Sequence, residues 1–113
     1  MALPEEVKRK TVALMQRYCD ERVPAEAQSK VRASFGIRGN SVSLYEERPP
    51  WDGEGEWSKM VIAQFRYGED GRWTLYWPDR NGRWHEYDDV NPTKDIRKLL
   101  DEVDDDPMDI FWL

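Results

Sequence analysis

The residues of this chain best suited to chemistry are a carboxylate and a guanidinium two positions apart, Glu46 and Arg48, with an indole close behind at Trp51. Alternation along an extended segment puts Glu46 on the same side as Val42 and Leu44. If that side is the core, the carboxylate points inward and must find a partner. Arg48 shares its face, and Arg66 can reach it from the next strand. One outcome is an ion pair at the end of a sheet. The other is an acidic–basic pair at the mouth of a pocket beside Trp51, placed to act as general acid or base. His85 is the only histidine. It has no cysteine partner and no metal-ligand spacing, so the expectation is a strand-surface histidine beside an aromatic ring. The chain has no phosphate-binding glycine loop, nucleophile elbow, Cys-x-x-Cys pair or His-Glu-x-x-His helix. No catalytic residue, metal or cofactor is assigned on this basis, and the reading leans away from an enzyme.

Aromatic side chains are the second resource. The chain holds six Trp and five Tyr, most of them between Tyr45 and Tyr87. They fall in short alternating runs, Trp73-Thr74-Leu75-Tyr76-Trp77 and Trp84-His85-Glu86-Tyr87 among them. Such rings are large, rigid and amphipathic, and they build either a core or a binding surface. Trp73, Leu75 and Trp77 are expected to face the helices. Tyr76, Tyr87, His85 and Arg66 are expected on the opposite face. Cross-strand aromatic pairs there would stabilise the sheet by ~0.2–1 kcal/mol each. With arginines interleaved, the same rings could hold unpaired bases at ~1–3 kcal/mol per base. Arg80 to Trp84, including Arg83, would then form a basic rim.

Composition bounds these options. A chain of 113 residues is one domain able to bury a core without disulfides or metal. Leu, Ile, Val and Phe number only 22, so the rings must supply much of the buried area, roughly 150–250 Å² each. The single cysteine, Cys19, has no intrachain partner, and no apolar run is long enough for a signal peptide or membrane span. The expectation is a cytoplasmic protein with no membrane partner. The net charge of −6 is concentrated in residues 88–113, which carry nine acidic and three basic groups. That end repels phosphate backbones, which argues against a general binder of double-stranded DNA. Asp101, Glu102, Asp104, Asp105 and Asp106 sit where a helix dipole disfavours anions. The expectation is a solvated charge run, with compensation by a basic partner surface, by Lys or Arg of this domain's own strands, or by a bound cation as the alternatives.

The elements that position these groups follow from periodicity. Residues 4–22 read as a helix opened by Pro4, with Val7, Thr11, Leu14, Met15 and Tyr18 as its apolar stripe. Val23-Pro24 stops it. The period then falls to two, predicting strands at 31–37, 41–48, 59–67, 72–77 and 83–87. Gly39-Asn40 and Asn81-Gly82 mark tight turns. Val61, Ala63, Phe65 and Tyr67 are assigned to one face of the third strand. A final helix is predicted at 92–104, capped by Asn91 or Thr93, with Ile96, Leu99, Leu100 and Val103 as its docking stripe. An acidic aromatic tail, 105–113, is expected to fold back over the core. The fold class is α+β: a helix, a five-stranded antiparallel meander, and a helix packed on one sheet face.

Three features together resemble the bacterial family called domain of unknown function 3024. They are the Val-x-Leu-aromatic-Glu-x-Arg-Pro stretch from Val42 to Pro49 with Trp51 after it, the Trp73-x-Leu75-Tyr76-Trp77 and Trp84-His85-x-Tyr87 pair, and the C-terminal helix with its acidic stretch and Ile110-Phe111-Trp112. The resemblance spans nearly the whole chain and implies a small bacterial protein with no assigned activity. Pro50 and the acidic insertion Asp52 to Glu56 depart from the pattern.

The residues favour a non-enzymatic module that binds a protein through exposed aromatic and arginine side chains. Glu46, Arg48, Trp51, Arg66, Tyr76, Arg83, His85 and Tyr87 are the candidate binding residues. A binder of single-stranded nucleic acid using Tyr76, Tyr87, Arg66 and Arg83 is the alternative. A small hydrolase or nuclease using Glu46, Arg48 and His85 is the second alternative, and it requires all three in one cleft.

Overall fold

A computed structural model describes residues 2–112; Met1 and Leu113, the last residue of the expected tail, lie outside the described residues. The first helix, α1, spans Glu5–Arg22, with Pro4 one position earlier than expected, at the cap. Its glutamates Glu5 and Glu6 occupy the first turn, where the helix dipole favours anions. Thr11, Met15 and Cys19 recur every four residues and are its buried line. Val23 is already extended ahead of Pro24, which ends the helix.

A turn at Ala25–Ala27 leads into five strands: β1 (Arg32–Arg38), β2 (Ser41–Arg48), β3 (Ser58–Tyr67), β4 (Trp73–Pro78) and β5 (Trp84–Glu86). They pair antiparallel in sequence order, a meander, as the alternating pattern predicts. Gly39 takes a φ of +59° in the β1–β2 turn, a conformation that costs glycine nothing. The second helix, α2, spans Ile96–Asp105. It packs on β3 and β4, and α1 packs by β1, so both helices cover one sheet face. Met15, Val42, Leu44, Phe65, Leu75, Leu99 and Val103 fill the space between.

Three expectations about faces change. Leu44 lies opposite Ala63 but Tyr45 lies opposite Val61, so Ile62 is an extra residue in β3. Such a bulge reverses the alternation on one side of it. Val61 therefore turns to the open face with Tyr45, and Ile62 takes the core position, 1% exposed. The second and third corrections concern His85 and Tyr87. Trp77 lies opposite His85, and the Tyr87 amide donates to the Leu75 carbonyl at 2.8 Å. Residues directly opposite in an antiparallel pair share a face. Both side chains thus stand on the helix side, and Tyr87 is core, 3% exposed.

The last helix begins four residues later than the pattern predicts. Thr93 is held by β4 instead, exchanging both backbone hydrogen bonds with Trp73 at 2.7 and 3.0 Å. Asp95 becomes the cap, its carboxylate accepting from the Arg97 amide at 3.1 Å. All four residues of the expected docking stripe are buried. After Asp105 the chain reverses at Asp106, whose φ is +41°. The Asp106 carboxylate accepts from the amides of Ile110, Phe111 and Trp112 at 2.8, 3.1 and 2.9 Å. That clasp carries the tail back, so Phe111 is buried against Tyr87, ring centroids 5.3 Å apart.

Candidate functional site

One end of the sheet gathers residues that are far apart in sequence. Arg22 ends α1, Arg32 opens β1, Arg48 ends β2, Trp57 immediately precedes β3, and Trp112 returns from the tail. Strand alternation places Glu46 on the inner face, and it is 5% exposed there. Its carboxylate meets Arg48 Nη2 at 2.5 Å, which satisfies the buried charge as sequence reasoning required. Arg66 does not take part. It stands on the opposite face, donating from Nε to Gln64 Oε1 at 2.7 Å and lying 3.8 Å over the Tyr76 ring.

The arginines of this end are stacked as well as paired. The Arg32 guanidinium lies 3.8 Å from the Trp57 ring centroid, and that of Arg22 lies 4.2 Å from the Trp112 centroid. Each contact contributes roughly 0.5–1 kcal/mol when exposed and more when dry. A cleft of about 210 Å³ opens among Arg22, Arg32, Glu46, Arg48 and Trp112. The β2–β3 loop, which follows Arg48, carries Trp51, which is 97% exposed. Large apolar rings are rarely left so free, and tryptophan is a residue type enriched among interface anchors.

The remaining candidates fall elsewhere. His85 stacks on Trp77 at 4.7 Å, and its Nε2 is 2.7 Å from Asp79 Oδ2. The bond to His85, then the amides of Arg83 and Asn81, hold the Asp79 carboxyl below the usual carboxylate range. β5 is three strands from β2, about 14 Å at ordinary strand spacing, so His85 does not share a cleft with Glu46 and Arg48. The cleft beside Asp79, about 610 Å³, is lined by Met60, Trp77, Ile110 and Phe111 and offers no hydroxyl or thiol. Arg83 is exposed on the β4–β5 turn. Tyr87 donates its hydroxyl to Glu102 Oε2 at 2.8 Å, and burial followed by that bond raises its pKa. Cys19 is buried beside Tyr18, and burial pushes its thiol up to about 12.

Sequence reasoning missed Arg22, Arg32, Trp57 and Trp112 as members of one group. Their common signal is weak: each lies at an element boundary, and the meander brings those boundaries together. Among the described residues no cluster of three or more His, Cys, Asp or Glu side chains could hold a metal ion. No described helix is long and apolar enough to cross a membrane.

These features define a small α+β domain with an arginine–tryptophan cleft at one end of its sheet. The model of the family described as Domain of unknown function (DUF3024) matches residues 3–113, and the chain belongs to that family. No curated protein and no solved structure matches it.

Proposed function

We propose that the protein is a non-enzymatic interaction module that binds another protein through the arginine–tryptophan end of its sheet. The observation that carries this reading is Trp51, 97% exposed in a chain that buries Trp73 and Tyr87 almost completely. Arg48 and Trp57 flank its loop along the chain, Arg32 lies over the Trp57 ring, and Trp, Tyr and Arg are the residue types that dominate interface energetics. A buried carboxylate beneath them, Glu46, fixes Arg48 in place. Recovery of co-purifying proteins from the native lysate should fall with Trp51→Ala while the fold is unchanged. Equal recovery of every protein with both chains would remove the loop from the account.

A second reading rests on a separate observation, the charge of the open face. The register puts Arg32, Arg38, Lys59 and Arg66 there against Glu47 and Glu86, in a chain of net charge −6. Tyr45 and Tyr76 each lie under a cation, Lys59 at 5.1 Å and Arg66 at 3.8 Å. A single nucleic-acid strand could stack on Tyr45, Tyr76 and Trp84. Tyr87 drops out of that platform because it is core. Tryptophan fluorescence titrated with short oligonucleotides at low salt tests it, and an unchanged signal would end it.

A further inference from the structure

Trp51 is presented on a formed turn. The Gly53 amide donates to the Pro50 carbonyl at 3.1 Å, which closes a four-residue turn with Trp51 at its second position. Gly53 takes a φ of +77°, and Pro49 and Pro50 stiffen the approach. A ring held this way loses little freedom when a partner buries it. The same end of the sheet carries a cavity of matching character. Arg48 lies opposite Ser58 where the loop rejoins the sheet, and Met60, ~7 Å further along β3, lines the 610 Å³ cleft. Ile62, Trp77, Ile110 and Phe111 complete its apolar walls, and Met60 itself is 43% exposed. That volume lies within the about 300–1,000 Å³ of ligand pockets, ample for one indole. Charge matches as well. The loop carries Asp52, Glu54 and Glu56 and no base between Trp51 and Trp57, and none of the three is ion-paired among the described residues. Arg80, which lines the cleft, and Arg83 on the same turn are exposed and equally without an ion pair among the described residues. Two acids line the cleft. Asp79 is matched by His85 at 2.7 Å and by the amides of Asn81 and Arg83 at 2.8 and 2.9 Å, which leaves only Asp109 to oppose an acidic loop.

We propose that the partner of Trp51 is a second copy of this chain: the indole of one copy enters the Met60–Trp77–Phe111 cleft of the other, and the reverse contact closes a two-fold dimer. The proposal rests on the reading of Trp51 as an interface anchor and names what it meets. A two-fold interface uses one patch twice, so the inserting ring and its receptor must lie on one side of the molecule. The loop and the cleft meet that condition, since both are built at the start of β3. Within one copy the ring does not enter the cleft, because it is 97% exposed. In the dimer the three loop carboxylates of each copy meet Arg80 and Arg83 of the other.

The test is sedimentation equilibrium of the full chain over a range of concentrations, with two single variants. The expected result is a monomer–dimer equilibrium for the natural sequence. Trp51→Ala removes the inserting ring and Met60→Glu spoils the receptor. Each should raise the dissociation constant at least about thirtyfold, the size of a hot-spot truncation. Both positions are exposed, and far-ultraviolet circular dichroism checks that the variants are folded; Arg80→Glu replaces Met60→Glu if that variant is not. The decisive sample is an equimolar mixture of the two variants. It retains one intact contact, the natural Trp51 of one chain in the natural cleft of the other, so dimer should return at concentrations where each variant alone is monomeric. A dimer that survives both substitutions, a mixture that stays monomeric, or a ladder of larger species would overturn the proposal. So would a natural chain that is monomeric throughout, and that result leaves the broader reading standing, because the lysate comparison with Trp51→Ala reads a different partner separately.

Discussion

The acidic end of α2 and the basic end of the sheet are made of the same two materials, charged groups and aromatic rings, and they are used in opposite ways. Around α2 the charges are consumed internally. Tyr18 donates to Asp104, Tyr87 donates to Glu102, and Asp106 collects three tail amides. Those bonds offset the repulsion between the acids and the negative end of the helix dipole. At the basic end the bonding is incomplete. Trp51 stands in solvent, and the Trp112 indole N–H has no hydrogen-bond partner among the described residues. A run of carboxylates in sequence therefore marked structure, and scattered arginines marked the open surface.

The largest expected effect lies in the closed region. Phe111→Ala should cost about 3–4 kcal/mol of unfolding free energy, the range for deleting a buried phenyl ring. Urea denaturation measures it, and a loss under about 1 kcal/mol would mean that the tail is not part of the core. Next comes Asp106→Ala. It removes the acceptor of three amides and places alanine at positive φ, so about 2 kcal/mol is expected by the same measurement.

The alkaline limb of stability sharpens the contrast further. Tyr18 and Tyr87 keep their protons more tightly folded than unfolded, chiefly because of burial. Their contribution is complete below the ordinary tyrosine value of 10.0 and is lost as pH climbs from there toward the raised folded value. Cys19, moved from 9.0 to about 12, acts with the same sign from about a unit lower. Stability should fall above pH 9 to 10, and Tyr87→Phe should flatten part of that fall. A flat profile would contradict the buried hydroxyl bonds. The smallest effect belongs to the open region: Trp51→Ala should change unfolding free energy by less than about 0.5 kcal/mol.

The framework was legible because periodicity carries it. The change from a repeat near 3.6 to a repeat of two located the sheet, and the stripe at Ile96, Leu99, Leu100 and Val103 located α2's buried face. Glu46 was readable as an inward carboxylate from alternation alone. What alternation could not carry was anything that interrupts it. The bulge at Ile62 and the turn register that faces His85 and Tyr87 inward depend on pairing between strands, which one sequence does not display. Thr93 was misread as a helix cap because its backbone partner, Trp73, is twenty residues away in the chain and adjacent only in space. The arginine–tryptophan group was hidden for the same reason. Arg22, Arg32, Arg48 and Trp112 meet only where four element ends converge.

A photoreactive residue placed at position 51, and in a second chain at position 108, would compare the two regions directly in the native cells. Met108 is the fair control, since it is 59% exposed on the acidic tail. The account predicts covalent protein adducts from position 51 and none from position 108. Adducts from position 108 alone, or from neither, would contradict it.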